Sequence, residues 1–155
     1  MNEGLFGFPS PAPSEIWLAG QPAYAGTYSR ILTSYPTVVR NIPGDMVLSM
    51  DATYGVAVTI GKPGLYYVEL ACYFSAQTDA GISLNATPSE CAAAFTSLPL
   101  NKIVLGQLAN AGNSVSVSGP VYCVPGDVLR PHTDAVSFSA GNSRHRFRVL
   151  RAALG

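Results

Sequence analysis

Residues 64–74 read GLYYVELACYF, the densest apolar stretch of the chain. Successive side chains of a β-strand point to opposite faces, so a half-buried strand alternates apolar with polar residues. Here Tyr66, Val68, Leu70, Cys72 and Phe74 share one face, and Leu65, Tyr67, Glu69, Ala71 and Tyr73 share the other. The first set can fill the core of a sandwich. The second is also mostly apolar, so a second surface has to cover it.

Strand and turn signals continue on both sides of this stretch. Val56 to Ile60 runs into the turn sequence GKPG; Ile82 to Leu84 leads into NATPSE, and Ile103 to Leu108 precedes ANAGNS. Val115 to Val124 ends at PGD, and Val128-Leu129 continues beyond it. Val136 to Ser139 alternates cleanly, and Arg146 to Leu150 forms the last apolar-polar alternation. In PVYCVPGDVLR (120–130), Pro125 presets φ for a tight turn, Gly126 supplies a positive φ and Asp127 can bond the local backbone. A short helix is expected around Glu90 to Phe95. Many short strands separated by turns predict an all-β sandwich or barrel.

The first 28 residues differ from the rest. They carry prolines at 9, 11, 13 and 22, glycines at 4, 7, 20 and 26, and the only tryptophan. Prolines fix φ and remove backbone donors, which predicts neither helix nor central strand over 1–28. Leu5, Phe6, Phe8, Ile16, Trp17 and Leu18 are too apolar for a solvated linker. An extended arm that docks on a partner explains both features, and so does an arm that wraps its own domain. The expected organisation is an arm over 1–28 and one β-domain over 29–155.

The chain has 155 residues, 48% apolar and only 12% charged, against a usual charged share of roughly 25%. So few charges favour a surface partly hidden by other subunits. Residues 1–127 hold eight acids and four bases, net −4, while 128–155 hold one acid and five bases, net +4. On a last strand, Arg144, Arg146, Arg148 and Leu150 share a face, and His145, Phe147, Val149 and Arg151 share the opposite one. The arginines then form an outward ladder with no interleaved aromatics to stack on bases, so no nucleic-acid partner is expected.

Catalytic and metal chemistry find little support. Cys72, Cys91 and Cys123 are odd in number and lack a CxxC pair, which fits buried small hydrophobes in a reducing compartment. His132 and Asp134 fall on one face of a strand, but no further metal ligand accompanies them. Acidic residues are scattered singly, and no nucleophile elbow, phosphate loop or zinc-hydrolase motif occurs. Asn85-Ala86-Thr87 is a formal glycosylation acceptor followed by Pro88. The N-terminus lacks the basic and apolar regions of a secretory leader, and no stretch is apolar enough to span a bilayer. The expectation is a protein without catalytic residues, cofactor or metal, and without a membrane partner.

KPGLYYVELACYF resembles the glycine-tyrosine strand of C1q/TNF-like jelly rolls, SVSGPVYCVPGDVLRP resembles their penultimate region, and SRHRFRVLRAAL resembles their closing strand. The resemblance covers residues 30 to 152. It implies a two-sheet jelly roll assembled as a homotrimer, with Leu65, Tyr67, Glu69, Ala71 and Tyr73 packed about the three-fold axis. Glu69 then needs a partner, for which an arginine of the last strand is the candidate. A small domain of this kind with a short arm and no collagen stalk resembles bacteriophage virion proteins. The implied role is a head decoration protein assembled in bacterial cytoplasm, docking on the major capsid protein or another virion protein through the arm. The alternative is a tail-tip or fibre module that binds a host glycan or protein through loops 77–90 and 131–143.

Overall fold

The computed structural model describes residues 14–25, 28–42, 44–51, 54–75, 77–109, 114–134 and 145–151. These residues build two antiparallel sheets packed face to face. The first is five-stranded, in the order β10-β7-β12-β1-β4. Its members are β1 (Glu15–Ala19), β4 (Thr37–Ile42), β7 (Gly64–Tyr73), β10 (Ser114–Cys123) and β12 (Arg146–Arg151). The second holds β2 (Ala23–Ala25), β3 (Tyr28–Ser34), β5 (Met46–Asp51), β6 (Gly55–Ile60), β8 (Thr78–Leu84), β9 (Ile103–Ala109) and β11 (Val128–Thr133). β11 is its centre, with β8 and then β9 on one side and β6 and β3 on the other. Pro131 lies between the residues of β11 that pair with β6 and the one that pairs with β3, where a missing N–H interrupts neither ladder.

The core between the sheets follows from alternation. Tyr66, Val68, Leu70, Cys72 and Phe74 are all fully buried, as are Phe147 and Val149 of β12. Val56, Val58, Ile60, Ala80, Ile82 and Leu129 meet them from the second sheet. Tyr66 brings a hydroxyl to the rim of this core and donates it to the Lys62 carbonyl at 2.8 Å, which offsets the cost of its burial. The expected all-β jelly-roll sandwich is the fold observed.

One expectation fails on the described residues. Residues 15–19 are not part of an arm: β1 lies inside the first sheet, paired with β12 on one side and β4 on the other. Ile16 and Leu18 are fully buried in the core. The prolines at 13 and 22 bracket this strand and do not enter it, so every residue from 15 to 19 keeps its backbone donor. Residues 1–13, including Leu5, Phe6 and Phe8, lie outside the described residues, as does the alternating stretch 136–139.

The turn after β10 forms as its chemistry requires. Gly126 has φ +92°, Asp127 Oδ2 accepts the Val124 N–H at 2.8 Å, and Asp127 Oδ1 accepts from the Asn85 side chain at 2.7 Å. The helix is placed a little earlier than expected. It is the single turn α1 (Pro88–Cys91), started by Thr87 as N-cap, with the Glu90 carboxylate returning to the Thr87 N–H at 2.7 Å. Lys102 grips both Glu90 oxygens at 2.8 and 2.7 Å, closing the excursion between β8 and β9. Phe95 fixes that excursion to the sheet, lying against the facing glycines Gly81 and Gly106. A Cβ on Gly81 would stand 2.1 Å from the Leu105 carbonyl oxygen and 2.4 Å from the Phe95 ring.

Candidate association face

The outer face of the first sheet is assembled by register. On β7 it presents Leu65, Tyr67, Glu69, Ala71 and Tyr73; opposite them on β10 stand Tyr122, Pro120, Ser118, Ser116 and Ser114. β12 adds Leu150, Arg148 and Arg146 beside Tyr67, Glu69 and Ala71. β1 adds Glu15 and Trp17, and β4 adds Ile42 and Arg40. Leu65 and Tyr67 are 40% and 41% exposed and Tyr122 is 65% exposed where β7 and β10 meet, and Ile42 is 44% exposed at the far edge of the face. Glu69 and Tyr73 are half-buried and Ala71 is buried. The five residues expected at a subunit interface therefore do share one outer face, but Leu65 and Tyr67 carry its apolar exposure.

The charges on this face are settled within the chain. Glu69 Oε1 accepts from Arg146 Nε at 2.6 Å and faces its Nη2 at the same distance. An arginine of the last strand thus supplies the partner expected for Glu69. Glu15, whose side chain is only 4% exposed, accepts from Arg148 Nε at 2.5 Å and faces Arg40 Nη1 at 3.0 Å. The Arg148 guanidinium also lies 5.8 Å from the Trp17 ring centroid, within cation–π range. Two carboxylates and three guanidiniums leave the face close to neutral. The Tyr67 hydroxyl donates to Ser118 Oγ at 2.9 Å, which orients the ring along the sheet.

Docking on a partner was expected of Ile16, Trp17 and Leu18 as well. Ile16 and Leu18 are core residues and unavailable to any partner; Trp17 points outward beneath Arg148. Tyr122 was missed, although Val121 and Cys123 on either side of it carry the signal. Both fill the core, which forces Tyr122 to the outside.

Among the described residues, the one serine–histidine pair is structural. His132 is buried, with Nε2 2.7 Å from Ser83 Oγ and its ring 5.7 Å from Phe95. A serine within hydrogen-bond reach of a histidine is a nucleophile–base geometry in an open site. Here Ser83 and His132 are 0% and 1% exposed, so the pair ties strands together under Phe95. Asp134 does not join His132 in a ligand set; its Oδ1 accepts the Phe95 N–H at 2.6 Å. Among the described residues, no group of three histidine, cysteine or acidic side chains could hold a metal ion. The three cysteines are free and buried, and burial pushes the Cys123 thiol up to about 11.

No family model and no curated protein matches the sequence. Solved structures do match the fold. Two crystal structures of murine APRIL, at pH 8.5 and pH 8.0, each superpose with a TM-score of 0.60 at 11% identity. Each match covers 90% of this chain and 99% of the other. The architecture is that of a TNF-like jelly roll.

Proposed function

We propose that this chain is a non-enzymatic structural module that works as a homotrimer, its subunits meeting through the outer face of the β10-β7-β12-β1-β4 sheet. The observation that carries the reading is the exposure of Leu65, Tyr67 and Tyr122 together on a face whose carboxylates already have partners. Large side chains held half in water on an ordered strand are the mark of an association surface, and burying them strands no charge. The TNF-like fold supports a trimeric module of this kind. Light scattering on the purified protein is the test: three chains per particle is the expected result, and a monomer at micromolar concentration refutes it.

The setting we propose is the virion of a bacteriophage, with the trimer as a head decoration protein on the major capsid protein or another virion protein. The low charged fraction and the proline-rich, aromatic composition of residues 1–13 support this setting. With β1 inside the sheet, Leu5, Phe6 and Phe8 are the docking residues that the proposal retains. Deleting residues 1–13 is expected to leave a folded trimer that no longer occupies particles; unchanged occupancy refutes the docking role. A host-binding module is the second reading, favoured by Leu100, which stands 87% exposed on the excursion between β8 and β9. Binding of the purified protein to host cells, abolished by Leu100→Asp, is the result that selects it.

A further inference from the structure

The chain enters the first sheet beside the apolar corner of its outer face. Ser14, the first described residue, accepts the Arg151 N–H on its backbone carbonyl at 2.9 Å, and Arg151 is paired with Tyr66 of β7. Leu65 and Tyr67, on either side of Tyr66, point outward, and Tyr122 stands directly opposite Leu65 on β10. These three exposed side chains lie on one face of two paired strands. Leu150 of β12, beside Tyr67, connects them to the place where Ser14 enters. With neighbouring strands about 4.8 Å apart, Ser14 lies about 10 Å across the sheet from β7 and about 14 Å from β10. Phe8 and Phe6 precede Ser14 by six and eight residues, a reach of up to about 20 Å and 26 Å.

We propose that residues 5–13 form a strap across this face in the free subunit, seating Phe6 and Phe8 on Leu65, Tyr67 and Tyr122 of the same chain. The inference rests on the readings of this face as the trimer contact and of residues 1–13 as the docking segment, and adds a contact between the two. The composition of the segment fits the path. Prolines at 9, 11 and 13 take the backbone donor from every second residue, so the segment cannot pair with a sheet edge as a further strand and is left to side-chain contact. Taking roughly 150–250 Å² for a fully exposed side chain of this size, the corner leaves about 300 Å² of apolar surface in water, which two phenylalanine rings are large enough to cover. Charge agrees as well: the face holds two carboxylates against three guanidiniums, and the one charged side chain among residues 1–13 is Glu3. The other side of β1 offers less, since Ile42 stands there next to Arg40, whose side chain is 51% exposed. The same apolar side chains then serve two surfaces in turn. Held on their own sheet they weaken association between subunits; drawn onto a particle they uncover the face and strengthen it.

Gly7→Cys and Pro120→Cys together bracket the contact and keep every apolar side chain in it; Pro120 is exposed on the outer face opposite Tyr67. The native cysteines are all buried, so the introduced pair dominates reaction with a short bismaleimide. The double variant is treated over a dilution series, resolved by denaturing gel and mapped by peptide mass spectrometry, with light scattering of the untreated protein alongside. The expected result is a link between residues 7 and 120 within one chain, in a yield that rises as dilution separates the trimers. In parallel, Phe6→Asp/Phe8→Asp removes the strap's anchors. A strap closed in nine subunits of ten leaves about a tenth competent to associate, which over three subunits raises the dissociation midpoint about 30-fold, so the variant is expected to dissociate at a concentration about 30-fold below wild type. Absence of the intrachain link at every dilution overturns the strap, and so does a link found only between chains, which assigns the segment to a neighbouring subunit. An unchanged or higher midpoint in the aspartate variant overturns it too. In each of these cases trimers by light scattering leave the trimer reading standing. Monomers at every concentration together with the intrachain link overturn the trimer reading and keep the strap.

Discussion

Replacing Tyr67 by aspartate tests the proposed association face on β7. Tyr67 is 41% exposed on the outer face of β7, and its hydroxyl already bonds Ser118 of the same chain, so the ring offers apolar area and no intermolecular hydrogen bond is assumed. For a tyrosine of about 230 Å², that exposure is about 95 Å². At about 25 cal/mol per Å², covering it contributes about 2.4 kcal/mol per subunit. Three copies give about 7 kcal/mol, or about five decades in the trimer association constant. Because that constant scales with the square of concentration, the midpoint for dissociation rises by roughly 300-fold, before any cost of burying the carboxylate. The assay is light scattering over a dilution series, with circular dichroism melts to confirm that the monomer remains folded. Tyr67→Phe, which keeps the ring, is expected to remain trimeric. A Tyr67→Asp protein that stays trimeric at the dilution where wild type begins to dissociate refutes the reasoning.

Other perturbations read the fold itself. Glu15→Ala removes a buried carboxylate from between the partly exposed Arg148 and Arg40 guanidiniums, which water can then solvate; the expected loss is about 1 kcal/mol, seen as a melting temperature lower by about 2–4 °C. Hydrogen bonds from Lys102 and from Thr87 hold the Glu90 carboxyl at about 2, below its ordinary value of about 4.3. The unfolded chain therefore takes up that proton first, so the contribution is complete above about pH 4.5 and is lost as pH falls toward 2. Melts across that range are expected to show a shallower acid dependence in Glu90→Gln than in wild type. Gly81→Ala drives a Cβ into the Leu105 carbonyl and the Phe95 ring and is expected to cost about 3 kcal/mol or more in urea titration. Gly126→Ala meets no atom within 4 Å but keeps φ +92°, and is expected to cost only about 1 kcal/mol.

The two-sided apolar pattern of residues 64–74 was legible because alternation is a local property, and it separated the core-facing from the outward-facing residues of β7. The partner of Glu69 was legible too, since the arginines recur at every second residue of the last strand and so share the sheet face opposite Phe147 and Val149. β1 was misread because proline density over 1–28 outweighed a five-residue alternation that contains none. The excursion between β8 and β9 was out of reach for a different reason. Its anchor, Phe95 on the facing glycines Gly81 and Gly106, depends on a pairing register between strands that sequence alone leaves open. The start of α1 was in plain view, in Thr87-Pro88-Ser89-Glu90, where a capping box meets a proline at the first helical position.

In the trimer we propose, settling Glu69 and Glu15 with arginines of the same chain also bears on the kinetics of assembly. A face that holds two carboxylates against three guanidiniums carries only one net charge and projects little field beyond its surface, so approaching subunits receive little electrostatic steering. Encounters are then found by diffusion and shape, at the unsteered rate of about 10⁵–10⁶ M⁻¹s⁻¹, and added salt slows them little. In the trimer we propose, the fit of the apolar surfaces is then what rejects the wrong neighbour.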